Sequence, residues 1–136
     1  MNESLIMFNL NYQKLPMKIN PYLLLFCTTF SLFMFSQDMQ KGFAYLEAGE
    51  YQNAELFFQN ILNDHAQNKT ARLCFGRAVG LNGNPEKATA IFINLLENYN
   101  DDFEVKLNYG ESLLWNDKFE EAKKYFKKAK ELENAK

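Results

Sequence analysis

A 34-residue period running through residues 35–136 constrains the fold of this chain more than any other feature. In each copy an alanine stands twelve residues after a glycine, and a phenylalanine stands four residues after that alanine. The three copies align without a gap, and the repeating residues are Gly42, Gly76 and Gly110, Ala54, Ala88 and Ala122, and Phe58, Phe92 and Phe126. A period of this length is typical of stacked arrays whose units bury their apolar faces against their neighbours.

Each copy carries the signals of two helices joined by a short turn. Met39, Phe43 and Leu46 stand at i, i+4 and i+7, which is the spacing of one helix face. The Gly-Asn-Pro sequence at 83–85 predicts a turn, because glycine permits a positive φ, asparagine caps a helix and proline suits the first helical position. N-cap side chains precede the predicted third and fifth helices. We therefore predict six helices in three antiparallel pairs, in an all-α fold without strands.

Length, charge and cysteine content restrict the class of protein. A chain of 136 residues makes one domain. The formal net charge of −2 gives no signal for nucleic-acid binding or for a polybasic membrane contact. Cys27 and Cys74 are the only cysteines, and no disulfide framework exists if Cys27 leaves with a targeting segment. We expect Cys74, inside a helix, to act as a small buried apolar residue.

Residues 17–36 have the layout of a secretory signal peptide. Lys18 supplies a short positive region, an apolar run of about fifteen residues follows, and Ser36 closes the segment. We predict cleavage after Ser36 and a mature protein that starts near Gln37, although Met34 departs from the small residue usual at the −3 position. The run is short for a membrane span, which needs about 20 residues. An uncleaved inner-membrane anchor is the alternative.

The remaining boundaries follow from this segment. Residues 1–16 show neither periodicity nor turn signals, and we interpret them as an unstructured upstream extension, with Met17 as the initiator. Residues 37–136 are predicted to form the repeat domain. Its three repeats have similar lengths and cover about 37–68, 69–102 and 103–136. We expect an exported protein of the periplasm or cell envelope.

The glycine, alanine and phenylalanine at these offsets in a 34-residue helix–turn–helix unit resemble the tetratricopeptide repeat (TPR). The resemblance implies three TPR-like repeats in a right-handed α-solenoid. The glycine and the alanine then stand at the small positions of the first and second helices, and the phenylalanine fills the space between neighbouring hairpins. The proline that often closes such a repeat is missing, because Ala66, Asn100 and Asn134 stand in its place. This departure leaves the angles between repeats open.

In repeats of this family the first helices line a concave groove, which implies a protein or peptide ligand. The resemblance assigns the groove eight residues of mixed chemistry: Phe43, Glu47, Leu73, Arg77, Leu81, Leu107, Glu111 and Trp115. Met39 and Leu46 share that face, whereas we expect Leu114 to pack within the array. An apolar surface with one arginine and the only tryptophan suits a peptide or a helix.

No constellation of catalytic or metal-binding residues occurs in the sequence. His65 is the single histidine and stands beside Asp64 near a helix end, where we expect a solvated turn residue. No phosphate-binding loop and no CxxC or HExxH spacing is present. We therefore predict no enzyme activity, no catalytic residue, no metal ligand and no cofactor.

Two functions remain open on these grounds. The first is a non-enzymatic, exported scaffold that binds a protein or peptide in the groove. The second is the N-terminal TPR region of a larger envelope or outer-membrane export protein, of which this chain would be a truncated part. Neither involves nucleic acid, a membrane contact would come only from an uncleaved N-terminal segment, and self-association is left open.

The second helix of the third repeat bears on that choice. Lys124 stands where the first two repeats have Leu56 and Ala90, and Lys130 stands where they have Leu62 and Leu96. We expect these positions to face a following repeat. Lysine there gives the polar outer surface that terminal repeats need for solubility, which favours a self-capped array of three repeats.

Overall fold

The computed structural model describes residues 39–135, and these belong to one compact unit. The predicted upstream extension (1–16) and signal peptide (17–36) lie outside the described residues. The predictions for those two segments are therefore not tested by the structure.

Residues 39–135 form six helices and contain no strand, which confirms the predicted all-α class. The helices are residues 39–47 (α1), Tyr51–Asp64 (α2), Lys69–Leu81 (α3), Pro85–Asn98 (α4), Phe103–Trp115 (α5) and Phe119–Asn134 (α6). Within this part of the chain, no helix combines the length and the apolar character needed to cross a membrane.

The helix starts follow the 34-residue period of the sequence. Helices α2, α4 and α6 begin at Tyr51, Pro85 and Phe119, and helices α3 and α5 begin at Lys69 and Phe103. Within each of these two series, successive helices begin 34 residues apart. The period of the sequence is therefore also a period of the backbone.

The turn inside each helix pair has one residue in the left-handed region: Gly49 at φ 74°, Gly83 at φ 93° and Asp117 at φ 59°. In all three turns the amide after this residue donates to the carbonyl five residues earlier, at 2.9–3.1 Å. The donor and acceptor residues are Glu50 and Tyr45, Asn84 and Val79, and Lys118 and Leu113. This is the Schellman arrangement, which satisfies the last carbonyls of the first helix and reverses the chain.

Asp117 occupies the third left-handed position without the freedom that glycine has there. We expect Asp117→Gly to stabilise the fold by about 0.5–1 kcal/mol, because glycine carries no Cβ that opposes a positive φ. In a domain of this size such a gain raises Tm by about 4–8 °C per kcal/mol. Urea denaturation measures the effect. Asp117→Ala is the matched control, since alanine also removes the carboxylate but keeps a Cβ at the same positive φ and should show no gain.

The helices pack in the order of the chain. Helix α3 packs against α2 and α4, α5 packs against α4 and α6, and α3 also contacts α5 directly. Helix α1 lies on α2, where the Phe43 ring is 6.2 Å from the Phe58 ring between centroids. Short turns impose this order, because they leave consecutive helices as antiparallel neighbours.

The repeating glycine and phenylalanine of each pair contact each other. A Cβ placed on Gly76 would lie 2.7 Å from the Phe92 ring, and one placed on Gly110 would lie 2.7 Å from the Phe126 ring. Gly42 has the same relation to Phe58, at 2.5 Å. The two helices of a pair approach closely because the glycine leaves room for the ring, and the ring fills that room to core density.

Two expectations about buried positions are wrong. Leu56 was expected to face the following repeat, but its side chain is 64% exposed, and Ala90 at the equivalent position of α4 is exposed as well. This position points to solvent in every pair, so Lys124 does not mark the end of the stack. Leu114 was expected to pack within the array, but it is 39% exposed. By contrast, Leu62 and Leu96 are partly buried against the core.

Candidate functional site

A groove of about 410 Å³ lies between α1 and α3. The two helices contribute three residues each, and the lining consists of Phe43, Leu46, Glu47, Cys74, Arg77 and Leu81. Residues three or four apart on a helix lie on one face, so each set forms a continuous strip along its own helix. The groove is therefore a direct product of placing two first helices side by side.

The chemistry of the groove is apolar with a charge of each sign. Phe43 and Leu46 are partly buried and form apolar surface, whereas the Glu47 and Arg77 side chains are exposed. Among residues 39–135, neither of these charged side chains takes part in an ion pair. Both are consequently available to a ligand, and an apolar site with a few polar groups is the usual composition of a binding groove.

Cys74 contributes a thiol to the wall of the groove. Burial raises the pKa of Cys74 to about 11, with a lowering contribution from Arg77 and a raising one from Glu104. The side chain therefore remains a neutral thiol near pH 7 and is not a nucleophile. In the groove it acts as a small apolar surface, in keeping with its expected role.

The structure brings together four of the eight groove residues proposed from the sequence, namely Phe43, Glu47, Arg77 and Leu81. Leu46, which was placed on the same face, joins them. Leu73 is only 5% exposed and belongs to the core, and Met39 is likewise buried at 7% exposure. Cys74, the neighbour of Leu73, takes its place in the lining.

Trp115 lies in a different environment from the one proposed for it. Its ring sits against Gly80, so closely that a Cβ on Gly80 would overlap the ring. Trp115 is partly buried against the core and does not line the groove between α1 and α3. The sequence does carry a signal of this contact, because Gly80 stands inside α3 but is not one of the glycines that repeat every 34 residues. Glycine inside a helix is less stable than alanine, so its presence there indicates that another group packs closely against the backbone.

The other two proposed residues, Leu107 and Glu111, are partly buried on α5 and lie outside this groove. Asn108 on the same helix is 7% exposed, and its Nδ2 donates to the Glu104 carbonyl at 2.7 Å. The Asn108 Oδ1 atom is buried and accepts no hydrogen bond within the described residues. Sequence reasoning therefore named residues of this groove on α1 and α3, whereas the residues that it assigned to the groove from α5 do not line it.

A charged contact joins the starts of α3 and α5. Lys69 Nζ lies 2.6 Å from Asp102 Oδ2, and Asp102 also caps α5 by accepting from the Val105 amide at 3.1 Å. Burial by itself would raise the pKa of Asp102, but the hydrogen bonds from Lys69 and Val105 outweigh it and hold the pKa below its usual value. The hydrogen bond to Asp102 raises the pKa of Lys69. This contact links α3 to the start of α5 at one end of the two helices.

Neither metal chemistry nor a known relative identifies the site. Among residues 39–135, no group of three or more His, Cys, Asp and Glu side chains is arranged to hold a metal ion. His65 follows α2 as its C-cap residue and is exposed. No protein-family model matches the chain, and no curated protein matches it.

Proposed function

We propose that the three helix pairs are TPR-like repeats stacked in a right-handed solenoid. The support is the 34-residue recurrence of the helix starts, of the left-handed turn residue and of the contact between glycine and phenylalanine. The direct contact between α3 and α5 agrees with a stack in which first helices share one face.

We propose that the protein is a non-enzymatic scaffold that binds a protein or peptide in the groove between α1 and α3. The observation that carries this proposal is the groove itself, an apolar strip with an arginine and a glutamate that have no ion-pair partner within residues 39–135. An extended peptide or a helix would place apolar side chains on Phe43 and Leu81. The layout of residues 17–36 supports export, so the proposed site of action is the periplasm or cell envelope.

Selection of a random peptide library against the chain, followed by fluorescence anisotropy on the enriched peptides, tests this function. We expect Arg77→Glu and Leu81→Ser each to weaken binding by about tenfold or more, which corresponds to about 1.4 kcal/mol. Both residues are exposed, so their replacement leaves the core intact. Lys118→Glu makes the same charge change as Arg77→Glu but in an exposed turn, and it should leave the affinity unchanged. No enriched peptide, or equal losses in all three variants, would contradict the proposal.

A further inference from the structure

Within residues 39–135, the outer face of α6 lacks the cover that the equivalent helices have. Helix α2 is covered by α3, and α4 is covered by α5. Within the described residues α6 packs only against α5. The effect is visible at one repeating position: Phe58 and Phe92 are 0% exposed, whereas Phe126 is partly exposed. An apolar ring is thus left accessible where the preceding pairs bury it.

A shallow groove of about 590 Å³ lies on this face of α6. Its lining combines one aromatic ring, one carboxylate and four lysines: Phe126, Glu120, Lys123, Lys124, Lys127 and Lys130. The aliphatic stems of the lysines extend the apolar surface around the ring, and their ammonium groups remain hydrated. The face therefore combines an apolar centre with a positively charged rim.

The two internal junctions show how a following helix pair is held. At the first junction Asn82 Nδ2 and Lys87 Nζ donate to the carboxylate of Glu55, at 2.9 Å and 3.0 Å. At the second, Asn116 Nδ2 donates to Thr89 Oγ1 at 3.0 Å. In both cases a side chain of the preceding helix accepts a hydrogen bond from the following pair, and Thr89 Oγ1 also donates to the Ser112 carbonyl at 3.4 Å.

Helix α6 offers no such acceptor at the equivalent position. Lys123 occupies the position of Glu55 and Thr89, 34 residues further along the chain. Lysine has three donors and no acceptor, so a helix placed here must supply the acceptors. Lys123, Lys124 and Lys130 take part in no ion pair within residues 39–135, and Lys127 has only an exposed contact of 4.0 Å with Glu131. A surface that carries carboxylates would supply both the hydrogen-bond acceptors and the negative charge that these lysines can pair with.

A second copy of this chain is not a suitable partner for the outer face of α6, because it would present the same lysines. Two such faces would bring four lysines of one copy against four of the other, and like charges brought together oppose association. The single glutamate in the lining, Glu120, cannot balance them. The positive charge of the groove therefore favours a partner whose contacting surface is negatively charged.

We propose that the outer face of α6 binds an acidic amphipathic helix of a partner protein, which covers α6 as α3 covers α2 and as α5 covers α4. Its apolar stripe lies on Phe126 and on the lysine stems, and its carboxylates accept hydrogen bonds from Lys123, Lys127 and Lys130. This surface is separate from the groove between α1 and α3, and the proposal does not depend on that groove.

Two labelled helical peptides of about 18 residues test the proposal on the full chain by fluorescence anisotropy. Both carry the same leucine stripe at i, i+3, i+4 and i+7, flanked by glutamates in one peptide and by lysines in the other. We expect the glutamate peptide to bind at least about tenfold more tightly at about 50 mM salt and to lose most of that advantage at about 500 mM. Equal affinities for the two peptides would overturn the proposal.

Variants then locate the contact. The triple variant Lys123→Gln/Lys127→Gln/Lys130→Gln should weaken the glutamate peptide by about tenfold or more, because several exposed ion pairs are lost together. A control with the same net charge replaces three exposed lysines that do not line this groove, namely Lys41, Lys118 and Lys128. The control should retain the affinity. Equal losses in the two variants would show a general charge effect and overturn the proposal.

The same assay separates a helix from a mere polyanion. We expect polyglutamate and vesicles of phosphatidylglycerol to compete poorly with the glutamate peptide, since neither offers an apolar helix face to Phe126. If either competes as well as the unlabelled peptide, the lysines bind negative charge alone and the assigned partner is wrong. Arg77→Glu, in the groove between α1 and α3, should leave this affinity unchanged, which keeps the two surfaces distinguishable.

Discussion

Phe92→Ala is expected to lower the free energy of unfolding by about 3–5 kcal/mol, which is the range for removing a fully buried ring. The Phe92 side chain is 0% exposed, and its ring lies against Gly76 in the same helix pair. Helix α4 is held between α3 and α5, so the cavity cannot collapse easily. Small domains are stable by about 5–15 kcal/mol in total, so this single change removes a large share of the stability.

Phe126→Ala is the matched control for that prediction. It removes the same ring at the same repeat position, where it also lies against a glycine, Gly110. Phe126 is partly exposed because, within the described residues, no helix other than α5 packs against α6. We expect a loss of about 1–2 kcal/mol, in proportion to the smaller apolar area buried. Urea denaturation followed by circular dichroism compares the two, and equal losses would contradict the difference in burial between α4 and α6.

Gly80→Ala is expected to destabilise the fold by about 1–3 kcal/mol, because the added methyl group would overlap the Trp115 ring. Without that contact the same change would have the opposite sign. Alanine is a better helix former than glycine, and the substitution inside a helix gains about 0.5–1 kcal/mol when nothing obstructs the methyl group. The sign of the measured change therefore reports the contact between α3 and α5 directly.

A double-mutant cycle with Trp115→Leu completes that test. In the Trp115→Leu background the smaller side chain leaves room for the methyl group, so Gly80→Ala should be neutral or stabilising. The coupling between two residues in contact is typically about 0.5–3 kcal/mol. If Gly80→Ala costs the same in both backgrounds, the two residues do not contact each other. Trp115 would then again be a candidate for the ligand surface.

The number, order and approximate bounds of the helices were predictable from local rules. Asn68, Asn84 and Asp102 each cap a helix by accepting from a backbone amide, as their residue types and positions predict. Gly83 and Pro85 turn the chain and start α4 for reasons contained in their own geometry. Such signals require no knowledge of what packs against them, which is why the sequence alone carries them.

The rotation of each helix about its own axis was not predictable in the same way. Leu73 and Cys74 are adjacent, and successive residues of a helix point about 100° apart. A small error in rotation therefore exchanges the two, and the structure places Leu73 in the core and Cys74 in the groove wall. The prediction that Leu56 faces the following repeat was wrong for a related reason. Helical periodicity places an apolar residue on one face of its helix, but it does not say which neighbouring helix, if any, that face contacts.

The sequence by itself determined an all-α chain with a 34-residue helical period, because caps and turn glycines act over a few positions and recur with that period. Only the tertiary structure decided which side chains are accessible. It placed Trp115 against Gly80, left Phe126 partly exposed and set Arg77 beside an apolar groove. Accessibility depends on the distance and angle between helices far apart in the chain, and those are fixed by the sum of many packing contacts and by no single local signal.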